Sequence, residues 1–442
     1  MNPPNQKHPL RKSSLARHLG CLACTTLLLL PFGSPVGRAE DSSSTRTRST
    51  PSTPELCGTP LSLDELRAML IRSSPAVADI DATTAQEMAR ASATALVANP
   101  ELQIEQTFTR MNIGGANDSQ TGASLGQPLR LSDFGTRAKI ASLIKKTASS
   151  ERKRELLSLS QRAVRYAATI DTLTTTIDRI SRAERQAIAY RTILDQGVAS
   201  GLVTTGDRAL ILAEYHRLRA EKVGAEAQRI SAQATLSQLV GASCLVQLTP
   251  APPAPSLLPL ADILTRAATS DITEYDRAEL LLELANEETR RAEEDSLPPI
   301  TPRLVYQHTN DGGDFLGVGF SFALPVWHRN EPERSSRAAE KMAAIRRETF
   351  LKEGGFTSHI TGLYHSIEAI EEQIRILEHD VMPTFQEALV AQDNLFRSGK
   401  GNALQLWQSV RASHEASRDS LTLRQRAIGM RSRLSLLIGD EL

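Results

Sequence analysis

Hydrophobic positions in this chain recur at two periods, and the longest helical pattern sets the scale of the molecule. From Asp133 to about Gln196 no proline occurs, no glycine follows Gly135, and apolar residues are spaced by threes and fours. That spacing places them on one helical face. A helix of about 64 residues is roughly 96 Å long, too long for a globular core, so it must lie along other long helices. The face consists of Ile170, Leu173, Ile177, Ile180, Ala183, Ala187, Tyr190 and Leu194.

Other segments alternate every second residue, which predicts β-strands. One strand begins at Leu102, and after a loop at 112–119 a second strand returns through Ser124 to Pro128 and Leu129. This pair is a predicted β-hairpin. The clearest strand comes later in the chain, where Leu316, Val318, Phe320, Phe322 and Leu324 alternate with Gly317, Gly319, Ser321 and Ala323.

The stretch from Gly201 to Gly241 has a second copy from Gly399 to Gly439. Each copy opens with glycine in a polar turn, continues as a helical pattern and closes on Leu-Ser and a final glycine. Both intervals span 40 residues, the copies lie 198 residues apart, and the strand segments 122–128 and 319–325 match at an offset of 197. Similarity at a nearly fixed offset indicates internal repetition. The chain is therefore predicted to be a tandem duplication.

The first half contains shorter elements before its long helices. A helix is predicted to begin after Ser62, which has Glu65 three residues later as in a capping box. A second helix should run from Pro75 to about Ala98, where Asn99-Pro100 ends it. After the long helix, the turn 197–206 reverses the chain, and a helix over 207–240 runs back alongside.

The second half repeats this order. The segment 258–263 corresponds to the first helix, and a long helix is predicted from about Pro332 to Arg397. Gly354 and Gly355 interrupt it at a cost of about 1 kcal/mol each, so a bend is expected there. Each half thus consists of helix, helix, β-hairpin, very long helix, turn and long helix.

Changes in composition along the chain indicate the domain boundaries. Basic residues precede an apolar run from Leu19 to Phe32, and Gly37-Arg38-Ala39 follows, which predicts a signal peptide over 1–39. A Ser/Thr/Pro-rich segment covers 40–60, the first repeat 61–242, a Pro-rich linker 243–259 and the second repeat 260–442. Cys21 and Cys24 lie within the apolar run, so neither resembles a lipoprotein cysteine.

Charge argues against nucleic acid as a partner. The whole chain is formally neutral, but the predicted signal contains five basic residues and no acid, so removing it leaves 46 basic and 51 acidic side chains. A mature protein near −5 lacks the basic surface that nucleic-acid binding requires.

The doubled order behind a signal peptide resembles the TolC family of outer-membrane efflux channels. The resemblance covers residues 61–442 and is carried by the hairpin tips at Gly201 and Gly399, the Gly241 and Gly439 endings, and strand pairs ending in 127–129 and 324–326. The run Pro-Leu-Arg-Leu-Ser-Asp-Phe-Gly at 128–135 is most similar to the branch that serves heavy-metal pumps of the cobalt-zinc-cadmium type.

The resemblance implies a mainly α fold with a β-barrel portion. Four strands per chain in a homotrimer would give a twelve-stranded outer-membrane barrel, and the helical hairpins would form a periplasmic tunnel. Lipid would contact Leu316, Val318, Phe320 and Phe322. The expected partners are a periplasmic adaptor (membrane fusion) protein and an inner-membrane pump of the resistance-nodulation-division type.

The tips have a structural and a functional interpretation. Glycines at helix ends often adopt positive φ, which by itself accounts for glycine there. The resemblance implies that the tips also contact the adaptor and form the aperture, with Gly197, Gly201, Gly206, Asp207, Gly399 and Gly401 as the candidate residues. Some members carry acidic gate residues where this chain has Gln405 and Gln408.

Other functions remain open. A drug exporter or type I secretion duct would share the fold, and a periplasmic adaptor would have one helical hairpin with flanking β-domains. For an enzyme, His414-Glu415 lacks the second histidine of a zinc-protease helix, and 293–295 fits the solvated end of a helix. No catalytic, cofactor or metal site is predicted. Arg303 and His308 fit either a pore lining or a solvated rim.

Two cysteines, Cys57 and Cys244, remain after the predicted signal. In the architecture that the resemblance implies, both lie near the middle of the tunnel wall. An oxidising periplasm favours a disulfide between them, while two cysteines 187 positions apart can equally remain separate thiols.

Overall fold

The computed structural model describes residues 57–109, 118–201, 203–249, 256–270, 273–309, 312–322 and 331–439. The predicted signal peptide, most of the segment 40–60, the strand-end motif 324–326 and the linker residues 250–255 lie outside these ranges. The helices are α1 (Leu63–Ser73), α2 (Pro75–Thr94), α3 (Thr136–Ala199), α4 (Thr205–Val240), α5 (Leu260–Thr269), α6 (Glu274–Glu294), α7 (Glu331–Phe350), α8 (Phe356–Ile376), α9 (Met382–Arg397) and α10 (Ala403–Ile438). The strands are β1 (Glu101–Thr109), β2 (Asp118–Gly126), β3 (Ile300–Thr309) and β4 (Asp314–Phe322).

The start of the first half follows its capping signals. Ser62 and Glu65 form the predicted reciprocal capping box at the start of α1. The prediction that α2 continues to about Ala98 is wrong, because the helix ends at Thr94. The carbonyl of Ala98 accepts a hydrogen bond from Gln127 Nε2 at 2.7 Å, so Ala98 contacts the end of β2 and does not continue the helix.

The four strands form one antiparallel sheet in the order β1-β2-β3-β4. The hairpin of each half is paired internally, and β2 and β3 join the two hairpins. Strand β2 ends at Gly126, earlier than the predicted Leu129, because Pro128 lacks an N–H and interrupts the ladder. Pairing resumes once beyond it, where Leu129 and Ile300 exchange two backbone hydrogen bonds of 2.9 Å.

Helix α3 is continuous over 64 residues. Its start at Thr136 is later than the predicted Asp133, because Gly135 has φ 130° and separates the helix from a 3₁₀ turn at Leu131–Phe134. Helix α3 packs against α4 and also against α10 of the second half. This contact joins the two helical hairpins.

The reversal between α3 and α4 is tighter than the predicted turn 197–206. Gly197 lies within α3 and Gly206 within α4, so both predictions of a turn position are wrong. Val203 folds back over the end of α3, and a Cβ at Gly197 would lie 2.7 Å from its Cγ2. Thr204 caps α4 by accepting a hydrogen bond from the backbone N–H of Asp207, so Gly206 is already helical.

The long helix of the second half is interrupted twice. The expected bend occurs at Leu351–Gly355, a π-helical segment in which Gly354 has φ 101°. A second π-helical segment at Leu377–Val381 was not predicted. It ends two residues before Pro383, whose missing N–H and ring disfavour a regular helix around the residue four positions earlier.

Three clusters of buried side chains follow the length of the helices. One, near the tips, combines α3 and α4 with α9 and α10. A second packs α1 and the start of α2 against α3 and α4, and a third packs α5 against α8 and α10 in the same way. Each half therefore buries its short helices against its own hairpin.

A disulfide joins Cys57 and Cys244, with their Cα atoms 5.2 Å apart. Beside it, Leu61 and Leu248 form a parallel bridge. The backbone N–H of Cys57 donates to the carbonyl of Leu245 at 2.9 Å. The segment before α1 is thus fastened to the segment after α4 by covalent and hydrogen bonds.

Candidate membrane surface and helical tips

One face of the sheet is apolar and exposed. Residues that pair directly across neighbouring strands share a face, so Ile104, Ala123, Tyr306 and Leu316 form one row across the four strands. Side chains on this face are largely exposed: Val318 by 82%, Phe320 by 74% and Ile104 by 73%. The predicted lipid-facing residues Leu316, Val318, Phe320 and Phe322 all lie on it. A monomer in water would leave this patch unsatisfied.

A polar row ends the apolar face near the β3-β4 turn. It consists of Gln106, Thr121, His308 and Asp314, which pair in register. Asp314 Oδ1 lies 2.8 Å from His308 Nδ1 and accepts a hydrogen bond of 2.9 Å from the Tyr306 hydroxyl. His308 therefore sits at the rim of the apolar face and not on the opposite face.

The opposite face is mainly polar and is concave. Gln103, Glu105, Gln120, Arg303 and Gln307 line its hollow. Arg303 Nη1 donates to Gln103 Oε1 at 3.0 Å, and Gln307 Nε2 donates to Gln120 Oε1 at 2.7 Å. The sequence allowed either a pore-lining or a rim position for both Arg303 and His308. In the structure they lie on opposite faces of the sheet.

Both edges of the sheet are open in the described part of the chain. Strands β1 and β4 are each nine residues long and each have one neighbour, so the other edge of each strand is unpaired. An uncovered edge of this length is a template for pairing with another strand. The sheet is complete only if both edges are covered.

The first tip is built on Gly201. Its φ of 75° lies in the left-handed region, and a Cβ there would meet no neighbouring atom. Asp207 supports the start of α4, because its Oδ2 accepts a 2.8 Å hydrogen bond from the Thr204 hydroxyl. Arg208 binds Asp195 across the tip. The acidic side chains here are therefore engaged in closing the hairpin.

The second tip has the same backbone geometry. Gly399 has φ 73° and open space at its Cβ position, whereas a Cβ at Gly401 would lie 2.6 Å from the backbone nitrogen of Phe396. Asn402 caps α10 by accepting a hydrogen bond from the N–H of Leu404. Gln405 and Gln408 are exposed. Gly201 and Gly399 thus have equivalent environments, although they belong to different halves.

Aromatic packing holds the two tips together. Tyr190 of α3 meets the edge of Phe396 of α9, with ring centroids 6.2 Å apart, and Trp407 of α10 is buried in the same cluster. Burial raises the pKa of Tyr190 to about 12, and its hydrogen bond with Asp393 adds to the shift. The phenol therefore stays neutral and donates to a carboxylate between the hairpins.

An ionic network lies between the sheet and the helices. Asp295, just after α6, accepts a 2.5 Å hydrogen bond from Ser132 Oγ and lies 3.5 Å from Arg137 and Arg291. Its side chain is 13% exposed, so the prediction that 293–295 is a solvated helix end is wrong for Asp295. Nothing in the local sequence signals partners 163 residues away. The network anchors the 128–135 run to the other half.

No sequence-family model matches the chain, and no curated protein matches it. Several solved structures match the chain. The outer-membrane protein VceC of Vibrio cholerae is 17% identical with a TM-score of 0.70, covering 86% of this chain and 96% of VceC. CusC, studied for transmembrane channel formation, is 13% identical with a TM-score of 0.69, covering 86% and 92%. The outer-membrane channel MtrE of Neisseria gonorrhoeae in its open state is 15% identical with a TM-score of 0.68, covering 86% and 89%.

The chain has a TolC-like fold. In this TolC-like fold, α3 separates the sheet from the tips by roughly 96 Å. The apolar surface and the tips are therefore at opposite ends of the molecule. No helix in the described residues is long and apolar enough to cross a membrane.

Proposed function

We propose that this protein is one subunit of a trimeric outer-membrane channel that serves as a passive exit duct. The observation that carries the proposal is the sheet, which combines an exposed apolar face, a polar concave face and two open edges. Lipid would cover the apolar face, and water would fill the concave side.

Strand number supports a trimer. A single-chain bacterial membrane barrel has at least about eight strands, and this sheet has four. If β4 of each copy pairs with β1 of the next, three copies give twelve strands in a ring. Head-to-tail contacts of this kind close when the rotation is right. The trimer of the TolC family, which this chain resembles, is the arrangement we infer.

The helical hairpins would form the periplasmic part of the duct. Their tips, with Gly201 and Gly399 exposed in equivalent turns, are the surface we propose for a periplasmic adaptor protein. We propose an inner-membrane pump of the resistance-nodulation-division type as the source of energy, because the resemblance to the TolC family implies such a partner.

Assembly is tested by extracting the protein from membranes in detergent and measuring its mass by native mass spectrometry. We expect three copies per particle, found in the outer-membrane fraction. The same sample should form conducting pores in planar bilayers. A monomer without conductance would overturn the proposal.

Docking is tested by adding a side chain at the tips without changing the backbone. Asparagine tolerates the left-handed conformation, so Gly201→Asn and Gly399→Asn should fold and form trimers. We expect both variants to lose pump-dependent resistance and adaptor cross-linking. Gly224→Asn, on α4 where a Cβ also meets no atom, is the matched control away from the tip. Wild-type resistance in both tip variants would exclude a docking role.

For the cargo, we propose divalent heavy-metal ions. The support is the resemblance of the 128–135 run to the cobalt-zinc-cadmium branch. Deleting the gene should sensitise cells to cobalt, zinc or cadmium salts, and restoring it should reverse the effect. Sensitivity to drugs with unchanged metal tolerance would assign the duct to drug export instead.

A further inference from the structure

The 3₁₀ turn Leu131–Phe134 leaves two large apolar side chains exposed. Phe134 is 75% exposed, which is comparable to the side chains on the apolar face of the sheet, and Leu131 is 53% exposed. The other two residues of the turn are covered, because Ser132 is fully buried and the Asp133 side chain is only 4% exposed. The turn is therefore amphipathic, and packing within the chain leaves its apolar side uncovered.

The backbone directs these side chains to the side of the apolar face. Leu129 pairs with Ile300, which lies on that face. Arg130 is extended, with φ −102° and ψ 156°, and alternate residues of an extended chain point to the same side. Leu131 therefore returns to the side of Leu129. Side chains three residues apart in a 3₁₀ helix eclipse each other, so Phe134 lies on the same side as Leu131.

The second half of the chain extends this surface. Leu297 is 55% exposed. The residues that flank it are held against the first half, because Asp295 accepts a hydrogen bond from Ser132 and Ile300 pairs with Leu129. The segment between them therefore lies beside the 3₁₀ turn. We call the three exposed residues at this junction of sheet and helices the collar: Leu131, Phe134 and Leu297.

The apolar face of β3 is shorter than the membrane it would cross. From Ile300 to Tyr306 it extends over six residues, or about 20 Å at 3.3 Å per residue. A strand tilted by about 40° spans roughly 15 Å of bilayer over that length, whereas the apolar band of outer-membrane barrels is about 25 Å tall. At the far end, the polar row with His308 and Asp314 closes the face. A bilayer of ordinary thickness would therefore extend past Ile300 to the collar.

We propose that the collar is inserted among the acyl chains of the periplasmic leaflet of the outer membrane and fixes how deep the channel sits. The inference rests on the proposed outer-membrane function. Lipid is favoured over a second copy of the chain because the collar lies at the ends of the central strands β2 and β3, whereas copies would join at β1 and β4. The apolar surface that lipid covers thus continues from the sheet onto the start of the helical part.

The test is the accessibility of a nitroxide spin label to oxygen, which partitions into acyl chains, and to a neutral nickel chelate, which stays in water. Labels are attached to Phe134→Cys or Leu131→Cys in channels reconstituted into dioleoyl phosphatidylcholine. The native cysteines are bonded to each other and do not react. Both labels should show a higher oxygen-to-nickel collision ratio than a label at Ser149→Cys, which is exposed on α3 about 20 Å from its start.

Bilayer thickness provides a second comparison. In thinner dilauroyl phosphatidylcholine the ratio at Phe134→Cys and Leu131→Cys should fall, because the edge of the acyl region recedes from the collar. A label at Phe320→Cys, on the apolar face of the sheet, should keep its high ratio in both lipids.

Frequent nickel collisions at both collar positions in both lipids would show that the collar faces water and would overturn the inference. Low access to both reagents would show that protein covers the collar, and would overturn it as well. Frequent nickel collisions at Phe320→Cys would instead refute the proposed membrane role of the sheet.

Discussion

The two halves share one topology, but their long helices differ. Helix α3 is regular over 64 residues, whereas the corresponding stretch of the second half is divided into α7, α8 and α9 by two π-helical segments. The ends of the two stretches match closely, with tips of φ 75° and 73° and final glycines of φ 74° and 70°. The duplication thus retains the turns and lets the middle of the helix diverge.

Particular residues explain the divergence. Leu157 corresponds to Gly354 at an offset of 197 and to Gly355 at an offset of 198. Leucine favours a helix by nearly 1 kcal/mol over glycine. The offset grows from 197 at the strands to 198 at the tips, so the second half has one residue more. A π turn, with its i→i+5 hydrogen bond, accommodates such a residue.

Charged side chains also hold the second π-helical segment in place. Glu378, within the π-helical segment Leu377–Val381, accepts two hydrogen bonds from Arg424 of 2.7 and 2.6 Å and one from Ser420 of 2.6 Å. These contacts hold the irregular segment against α10. The first half stabilises its long helix by regular backbone hydrogen bonds, while the second adds side-chain bonds where its helix is irregular.

The largest expected effect concerns the disulfide, since its two cysteines flank the first repeat and no cysteine occurs after Cys244. Replacing Cys57 and Cys244 together with serine releases a loop of 187 residues. In the chain-entropy model this costs about 5 kcal/mol. The double variant should melt at a markedly lower temperature, and the reductant-treated wild type should melt with it. Equal melting of oxidised and reduced wild type would refute a stabilising role.

A proline in α3 would create in the first half the interruption that the second half already has. Arg185 corresponds to Pro383 at the offset of 198 and is exposed, so Arg185→Pro acts through the backbone. We expect a loss of about 3 kcal/mol or more, measured by chemical denaturation. Arg185→Ala is the matched control and should be nearly neutral. If Arg185→Pro were equally neutral, continuity of α3 would not contribute to stability.

Neighbouring residues of β4 allow the two faces of the sheet to be compared. In outer-membrane β-barrels, such as the one proposed for this chain, a charge at mid-membrane costs roughly 2 to 4 kcal/mol on the lipid face. Phe320→Arg should therefore reduce the amount of trimer in the outer membrane, whereas Ser321→Arg, on the concave face, should not. Quantitative immunoblotting of membrane fractions measures both. Equal losses would show that the two faces are not solvated differently.

The smallest effect is expected at Glu378. The hydrogen bonds from Arg424, followed by that from Ser420, hold the pKa of Glu378 below its ordinary value of 4.5. A lowered pKa stabilises the folded state above pH 4.5 and loses that contribution as the pH falls through the folded-state value. The melting-temperature difference between wild type and Glu378→Gln should shrink between neutral pH and about pH 3. A difference independent of pH would exclude this linkage.

Periodicity predicted the elements that depend on local pattern. The phase of β4 and the long helical hairpins follow from repeating spacings, and Gly354-Gly355 marked the first interruption correctly. The boundaries of α2 and of the first tip were wrong, because a tertiary hydrogen bond to Ala98 and the packing of Val203 on Gly197 decide them. The second interruption is signalled by Pro383, whereas the apolar spacing of 367–381 continues through it and does not reveal it.

Periodicity within a segment does not predict contacts between segments that are distant in the chain. The hydrogen bond from Ser132 to Asp295 joins the two halves at a separation of 163 residues, and each residue alone is an ordinary surface type. The placement of Arg303 and His308 on opposite faces likewise required the strand register. Both features depend on pairing across the chain and not on the pattern within a segment.

In the proposed trimer, copies of the chain close the open edges of the sheet by pairing β4 of one with β1 of the next. A direct test places cysteines at Ile104 on β1 and Val318 on β4, with a short bifunctional maleimide as the cross-linker. The native cysteines are bonded to each other and will not react. The double variant should give covalent dimers and trimers on a denaturing gel, and each single variant should give monomers only. Cross-linked dimers from a single variant, or monomers from the double variant, would contradict the account.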